Sequence, residues 1–239
     1  MILTIDTSTD TTVVGVFDPA RDELVVEDCR ADAGRHGDVL LPRIQQVLAG
    51  ASLTPADISA LAAGVGPGSF TGLRIGLSTA QAWSLAMGIP AFGVVSTEAL
   101  AWPWLQQEPL AKVVVVTDAF KGEVACAVYE HAQGDIAAVF APYACSPAEA
   151  GRHIVDLCAQ TRSPIVIGGG LRRYERELTA GLPATCRVAP ETADIPQPVA
   201  LSRLTLRKLA AGEGGDPRAL LPLYVRGADA KLPERPLKL

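Results

Sequence analysis

The sequence contains 239 residues, of which 49% are hydrophobic and 20% are charged, and it carries a formal net charge of −5 at pH 7. This hydrophobic content is enough for a sizeable folded core and argues against a disordered chain. The net negative charge argues against autonomous binding to nucleic acid, which usually requires a basic face. Any role that involves RNA is therefore expected to depend on a partner.

No stretch of the chain approaches the ~20 consecutive apolar residues that span a bilayer, so no membrane association is expected. The first ten residues include Asp6 and Asp10 and lack a basic region, so no signal peptide is predicted. Five scattered cysteines without a C-x-x-C pair indicate reduced thiols in a cytoplasmic protein. They are Cys29, Cys126, Cys145, Cys158 and Cys186.

The chain begins with three predicted strands joined by short, turn-forming segments, which indicates an antiparallel meander. These strands cover residues 2–5, 12–17 and 23–27. A helical pattern over residues 39–50 follows, and Pro42 must lie in the first turn of this helix or kink it.

A buried strand over residues 58–65 comes next, followed by a glycine-rich loop and a long helix over residues 71–86. Gly88 is well placed to cap the C-terminal end of this helix. The strand AFGVV then leads into a short helix that Ser96 is expected to cap and Pro103 is expected to close.

The second half of the chain repeats this order of elements. Three predicted strands are followed by a helix, a strand, a helix, a strand and a final helix that stops at Gly212. In chain order these elements cover residues 112–118, 123–130, 135–143, 147–161, 164–170, 171–180, 185–190 and 199–212.

Both halves therefore have the order β-β-β-α-β-α, which predicts a duplicated α/β fold. Such halves facing each other across a cleft are the plan of the actin-like ATPase and sugar-kinase (ASKHA) superfamily, which this chain resembles. The predicted division is an N-terminal subdomain over residues 1–105 and a C-terminal subdomain over 106–196. Residues 197–239 are expected to form a final helix that packs back on the N-terminal half, followed by a tail.

The resemblance to this superfamily implies a nucleotide site, in which two strand-ending aspartates and their turns hold phosphate and metal. Asp6, Thr7 and Ser8 occupy the required positions in the first half, and Asp118 does so in the second. Gly168 and Gly169 would then lie against adenosine. Two simpler interpretations stay open: Asp6 bonds the backbone of its own turn, and the glycines form a tight strand-to-helix turn.

The glycine-rich loop GVGPGSFTGLRIG does not match the common ligand or nucleophile motifs. Gly72 is followed by Leu73 and Arg74, whereas a Walker A loop requires Lys and Ser or Thr. Ser69 lacks the flanking glycines of a nucleophile elbow, and the acidic residue of a dinucleotide-binding fingerprint is absent. The three histidines lie too far apart in sequence to share a metal-ligand spacing, and no Ser–His–Asp set can be assigned.

Small residues recur every fourth position on the helix after this loop, so they share one face. They are Gly72, Gly76, Ala80 and Ser84. Two glycines inside a helix cost roughly 1 kcal/mol each relative to alanine, so a close approach of another backbone is expected to compensate. This backbone belongs either to the protein's own sheet or to a helix of another subunit.

Five segments of the sequence together resemble one protein family. They are MILTIDTST, a histidine before LLPRIQQVL, GVGPGSFTGLRIGLSTAQAWSLAMGIPAFGVVSTEALA, DAFKGEV and LPLYVRGADAK. These segments closely resemble the TsaB family, also called YeaZ, and the resemblance runs from residue 1 to about residue 230. Members of this family belong to the bacterial machinery that makes N6-threonylcarbamoyladenosine on tRNA.

The family is similar to its catalytic partner, TsaD, which carries an H-x-x-x-H metal pair. When the sequences are matched on GVVSTEAL, the two histidines become Ser96 and Leu100, and only Glu98 between them remains. Serine is a poor metal ligand and leucine is none. The resemblance therefore implies a pseudo-enzyme that has no catalytic residues, metal or cofactor of its own.

The resemblance also implies partners. The chain is expected to pair with TsaD, to recruit the ATPase TsaE with ATP or ADP near the junction with TsaD, and to contact tRNA only through this complex. In isolation it can form a homodimer through the same helices. The implied interface residues are Leu40, Leu41, Ile44, Gly72, Leu73, Gly76, Leu77, Ala80 and Trp83. On this hypothesis, Gly76→Leu blocks TsaD binding and leaves the fold largely intact.

A function of a different class stays open. An active ATP-dependent phosphotransferase or ATPase of the ASKHA superfamily would use Asp6, Asp118, Gly168 and Gly169, and Asp118→Ala would abolish its activity. A metallopeptidase, as a third hypothesis, would carry stoichiometric zinc or iron. The sequence supports no peptidase, because neither a pair of metal ligands nor a nucleophile set can be assigned in it.

Overall fold

The computed structural model describes residues 1–32, 34–132, 135–161 and 164–226, which form two five-stranded sheets with helices on their faces. The first sheet has the strand order β3-β2-β1-β4-β5, in which β1, β2 and β3 are antiparallel and β4 and β5 run parallel to β1. The predicted antiparallel meander is therefore confirmed. The strands are β1 (Ile2–Asp6), β2 (Thr11–Asp18), β3 (Glu23–Ala31), β4 (Ala60–Gly66) and β5 (Ala91–Val95).

The second sheet repeats the topology of the first. Its order is β8-β7-β6-β9-β10, with an antiparallel meander from β6 to β8 and with β9 and β10 parallel to β6. The strands are β6 (Lys112–Phe120), β7 (Glu123–Ala132), β8 (Asp135–Cys145), β9 (Pro164–Ile167) and β10 (Arg187–Val188). Two sheets with one strand order and one set of strand directions confirm the predicted duplicated α/β fold, with the β-β-β-α-β-α order in each half.

The helices complete a layered arrangement around the sheets. Helices α1 and α2 pack on one face of the first sheet, and α7 and α3 pack on the other, where α3 also contacts the second sheet. Helices α4 to α6 cover the outer face of the second sheet. The helices are α1 (His36–Gly50), α2 (Phe70–Met87), α3 (Ser96–Gln107), α4 (Pro147–Gln160), α5 (Gly170–Arg173), α6 (Glu175–Thr179) and α7 (Pro198–Ala210).

Two prolines lie inside helices, and one of them contradicts its predicted role. Pro103 was expected to close α3, but this helix continues to Gln107. Leu105 lies beyond the proline and is fully buried in the core of the second sheet, and this burial favours continued helix despite the lost backbone hydrogen bond. Pro42 lies beyond the first turn of α1, because this helix begins at His36.

Among the other predicted element boundaries, one is confirmed and two differ from the structure. Gly88 has a left-handed conformation with φ +66° and caps α2, as the sequence predicts. The helix predicted over residues 171–180 is divided into α5 and α6 at Tyr174. The strand predicted over residues 185–190 is reduced to the two residues of β10.

The last described helix, α7, lies on the first sheet. A Cβ atom on Gly15 of β2 would lie 2.4 Å from Cβ of Pro198, so the helix and the strand are in direct contact. The tail predicted up to residue 239 falls outside the described residues after position 226. None of the described helices is long and apolar enough to cross a membrane.

Candidate functional site

The turn after β1 is closed by its own hydrogen bonds. The Asp6 side chain is buried, with 1% of its surface exposed, and its Oδ1 accepts a hydrogen bond from the backbone N–H of Ser8 at 2.7 Å. The Ser96 hydroxyl donates to Asp6 Oδ2 at 2.6 Å. Burial raises the pKa of Asp6, because removal from water disfavours the charged carboxylate. This geometry is that of a turn-initiating aspartate, the simpler of the two interpretations of Asp6.

Helix α2 packs directly on this turn through its glycines. The Thr7 hydroxyl donates to the carbonyl oxygen of Gly72 at 2.7 Å. A Cβ atom at Gly72 would lie 2.2 Å from the Thr7 carbonyl oxygen, and one at Gly76 would lie 2.3 Å from Thr7 Oγ1. Gly68 is equally close, since its Cβ would lie 2.1 Å from the Ser8 carbonyl oxygen. The glycines of the loop and helix therefore make room for the turn of the same chain.

Ser96 and Gly64 complete this interlocked set. The Ser96 hydroxyl oxygen accepts a hydrogen bond from the backbone N–H of Gly66 at 3.1 Å while it donates to Asp6. A Cβ atom at Gly64 would lie 1.8 Å from Asp6 Oδ2, so only glycine fits beside the carboxylate. Ser96 is the first residue of α3 and not its N-cap, which is Val95, so the predicted capping role is wrong. Its hydroxyl instead satisfies the buried turn.

The second strand-ending aspartate is held by an arginine. Asp118 Oδ2 lies 2.6 Å from Nη1 of Arg173, and Asp118 Oδ1 accepts a hydrogen bond from the backbone N–H of Phe120 at 2.9 Å. The Asp118 side chain is partly exposed, and more than half of the Arg173 side chain is exposed. Asp118 is therefore more accessible than Asp6, but a cation of the same chain already pairs with it.

The glycines after β9 form a tight turn. Gly168 has φ +118°, and a Cβ atom there would lie 2.3 Å from the Val116 carbonyl oxygen. Its backbone N–H donates to Asp194 Oδ1 at 2.8 Å. Gly169 is exposed, and a Cβ atom there would meet nothing within 4 Å. Gly168 thus serves the strand-to-helix turn, the simpler of the two interpretations of these glycines.

Asp194 is a buried polar residue that the sequence analysis did not identify. Its Oδ2 lies 2.9 Å from Nε of Arg172, whose Nη2 also donates to the carbonyl oxygen of Ala189 at 2.6 Å. Burial raises the pKa of Asp194, and the bonds from Arg172 and Gly168 oppose this shift. Asp194 lies in a connecting segment, 26 residues after Gly168, and no local sequence motif indicates that the two residues are in contact.

Ser96 and Leu100, which the resemblance matches to the histidine pair of TsaD, both form contacts within the fold. Leu100 is buried in the core of the second sheet, and Ser96 bonds to Asp6 and Gly66. Glu98 forms an ion pair with Arg207 of α7, whose Nη1 also lies 2.8 Å from Asp135 Oδ1. Within the described ranges, no three His, Cys, Asp or Glu side chains come together as a metal-binding group.

Most of the predicted interface residues are buried within the chain. The buried ones are Leu40, Ile44, Gly72, Leu73, Gly76, Leu77 and Ala80. They pack against the first sheet or the turn after β1, so they do not present a surface to a partner helix. The expectation that Gly76→Leu leaves the fold intact is therefore wrong, since any side chain there meets Thr7.

The outer faces of α1 and α2 do carry exposed apolar side chains. Leu41 of α1, a predicted interface residue, is 54% exposed, and Trp83 of α2 is half-buried against the core. Leu85 of α2 is 59% exposed, and Phe70 and Met87 are also exposed. These three residues are not among the predicted interface residues, because most of the predicted positions of α2 belong to its small-residue face or lie next to it. The opposite face of the same helical pattern could have identified Leu85.

Comparison with known proteins gives consistent matches. A family model described as "TsaD: tRNA N6-adenosine threonylcarbamoyltransferase" matches residues 31–164, more than half of the chain. A Mycobacterium tuberculosis protein described as uncharacterised is 41% identical over 54% of this chain and 58% of its own length. The Escherichia coli tRNA threonylcarbamoyladenosine biosynthesis protein TsaB is 34% identical over 56% of this chain and 57% of its own length.

The aligned part of this chain thus spans less than two thirds of the length of these curated relatives. The solved structure of YeaZ from Pseudomonas aeruginosa covers 93% of this chain and 98% of its own, with a TM-score of 0.77 and 24% identity. This likeness supports the fold alone. By the family match, this chain belongs to the TsaD family described as tRNA N6-adenosine threonylcarbamoyltransferase, and its named relatives are TsaB (YeaZ) proteins.

Proposed function

We propose that this chain is a non-catalytic subunit needed to form N6-threonylcarbamoyladenosine on tRNA. It acts by pairing with the catalytic subunit TsaD and by recruiting the ATPase TsaE. The first support is the relative from Escherichia coli, which is named for the biosynthesis of this modified nucleoside. The second is the net charge of −5, which argues against autonomous binding to nucleic acid and favours contact with tRNA through a partner.

The observation that carries the non-catalytic part of the proposal is the use of the two matching metal-ligand positions. The Ser96 hydroxyl forms hydrogen bonds with the Asp6 side chain and the Gly66 backbone N–H, and Leu100 is buried in the core. A metal at this place would require a donor at each position, and leucine has none. The chain is therefore proposed to hold no cofactor of its own, with ATP or ADP bound near the junction with TsaD.

The exposed apolar side chains of α1 and α2 are proposed as the surface that meets TsaD. Leu41 and Leu85 are each more than half exposed, so both side chains are accessible to a partner. Complete burial of one leucine contributes roughly 1.5–3 kcal/mol. This surface replaces the small-residue face of α2, which is occupied by the turn of the same chain.

The interface is tested by Leu85→Asp, which places a charge in the proposed contact. The matched control is Leu110→Asp in the segment after α3, where the leucine is 96% exposed. We expect Leu85→Asp to weaken TsaD binding at least tenfold in calorimetry and Leu110→Asp to leave it unchanged. Both variants should keep the wild-type melting temperature, because neither side chain is in the core. Wild-type affinity of Leu85→Asp would contradict the proposed surface.

An ASKHA phosphotransferase would give a different result with the purified chain. It would turn over ATP in the presence of magnesium, and Asp118→Ala would abolish that turnover. We expect no sustained turnover, because Asp118 is paired with Arg173 and the corresponding Asp6 is buried under α2. ATP hydrolysis that depends on Asp118 would contradict the non-catalytic proposal directly.

A further inference from the structure

The last described segment of the chain runs along the first half of the molecule. The backbone N–H of Ala91, at the start of β5, donates to the carbonyl oxygen of Gly215 at 2.9 Å. Leu220 is buried in the core beneath α2, and its carbonyl oxygen accepts a hydrogen bond from Gln81 at 2.9 Å. The backbone N–H of Leu223 then donates to the carbonyl oxygen of Val65, near the carboxyl end of β4, at 2.7 Å.

Tyr224 continues this attachment at the start of α2. Its ring stacks on Phe70 with centroids 5.3 Å apart, and its hydroxyl accepts a hydrogen bond from Arg74 Nε at 3.0 Å. The Arg74 guanidinium also lies 3.9 Å from the centre of the Phe70 ring. The segment is thus fixed to the first half by backbone bonds, a buried leucine and an aromatic stack.

Two residues later the segment reaches the second half of the molecule. Arg226 Nε lies 2.5 Å from Glu123 Oε2, at the start of β7. Arg226 Nη1 donates to the carbonyl oxygens of Ala119 and Phe120 at 3.3 and 3.5 Å. These three residues surround the β6–β7 turn, at the end of the strand that carries Asp118. One short segment therefore joins the carboxyl end of β4 to the carboxyl end of β6.

We propose that residues 220–226, here called the clasp, hold the two halves of the molecule together, with Arg226 as the latch. The clasp contacts β4 and β6 near the carboxyl ends of these strands, which is where open α/β sheets commonly bind ligands. A separate set of contacts joins the halves elsewhere: Thr97 Oγ1 lies 2.8 Å from the Tyr129 hydroxyl, and Arg207 bridges Glu98 and Asp135.

The two sets of contacts differ in strength. The Thr97–Tyr129 bond is buried, whereas the side chains of Arg226 and Glu123 are 24% and 41% exposed. An ion pair with this exposure is screened by salt and contributes little, so the latch opens more easily than the buried contact. Opening at Arg226 would leave the buried contact as the hinge between the halves.

The latch is tested by Arg226→Met, which keeps an extended side chain and removes its donors. The matched control is Arg218→Met, at an exposed arginine of the same segment that lies before the clasp. We expect hydrogen exchange of the amides in residues 119–123 to become about two- to fivefold faster in Arg226→Met and to stay unchanged in Arg218→Met. Raising the salt concentration should accelerate exchange in the wild type and have less effect on Arg226→Met.

Two further measurements separate a clasp from a purely local contact. Glu123→Gln combined with Arg226→Met should exchange no faster than Arg226→Met alone, because the two residues act through one contact. The radius of gyration from small-angle scattering should rise in Arg226→Met at an unchanged melting temperature. Unchanged exchange in the β6–β7 turn would overturn the proposal. Faster exchange without a change in the radius of gyration would also overturn it, because the halves would then stay together without the latch.

Discussion

Gly76→Ala tests whether α2 packs on the turn of the same chain. The added Cβ atom would lie 2.3 Å from Thr7 Oγ1, whereas real Cβ contacts essentially never fall below 3.0 Å. Either the Thr7 hydroxyl or the helix must therefore move by about 0.7 Å. Movement of the hydroxyl breaks its 2.7 Å hydrogen bond to the Gly72 carbonyl oxygen.

The expected change in the free energy of unfolding follows from two destabilising contributions and one stabilising contribution. Overpacking of a well-packed contact typically costs about 1–3 kcal/mol. Loss of the Thr7 hydrogen bond adds about 0.5–1.5 kcal/mol. Replacement of glycine by alanine inside a helix returns about 1 kcal/mol. We therefore expect Gly76→Ala to lower the free energy of unfolding by about 0.5–3.5 kcal/mol. Each kcal/mol lowers the melting temperature by roughly 2–4 °C in a protein of this size.

The assay is urea denaturation of four variants, with a matched glycine as the control. Gly50 ends α1, and a Cβ atom there would meet nothing within 4 Å, so Gly50→Ala should be neutral or stabilising by up to about 1 kcal/mol. In a Thr7→Ala background the hydroxyl is gone, and Gly76→Ala should then be neutral or stabilising. The reasoning is refuted if Gly76→Ala matches the wild type in stability, or if Thr7→Ala gives no relief.

Two further predictions concern buried polar contacts and pH. Ser96→Ala should lower the free energy of unfolding by about 1–3 kcal/mol in urea denaturation, because Asp6 and the Gly66 N–H both lose a partner; a wild-type midpoint would contradict this. The hydrogen bond from Arg30 lowers the pKa of Asp28, so this carboxylate stabilises the fold above the usual aspartate pKa of about 3.9. That contribution is lost as pH falls through the lowered value, and Asp28→Asn should reduce the acid dependence of stability in a pH titration; an unchanged titration would count against it.

The order of elements was predictable because each strand is a short apolar run bounded by turn residues. The repeat of that order in both halves was enough to predict the duplicated fold. The boundary at Pro103 was not predictable, since it depends on the burial of Leu105 in the core of the second sheet, which also includes residues from β9. Local propensity is a weak prior that tertiary packing overrides.

The candidate site was predictable only as a set of positions. The four-residue spacing correctly places Gly72, Gly76, Ala80 and Ser84 on one face, and all four are buried. The spacing does not say what covers that face, and Thr7 provides the cover for the two glycines. Likewise, Asp6 ends a strand as a phosphate-binding aspartate would. Only its contacts with Ser8 and Ser96 identify it as part of the turn.

The central proposal is that this chain supports the formation of threonylcarbamoyladenosine without performing the chemistry. The most direct measurement is the amount of this nucleoside formed on tRNA from threonylcarbamoyl-adenylate by the chain alone, by TsaD with TsaE, and by all three together. The account predicts no product from the chain alone and more product from the three proteins than from TsaD with TsaE. Product formed by the isolated chain, or no increase when it is added, would contradict the account.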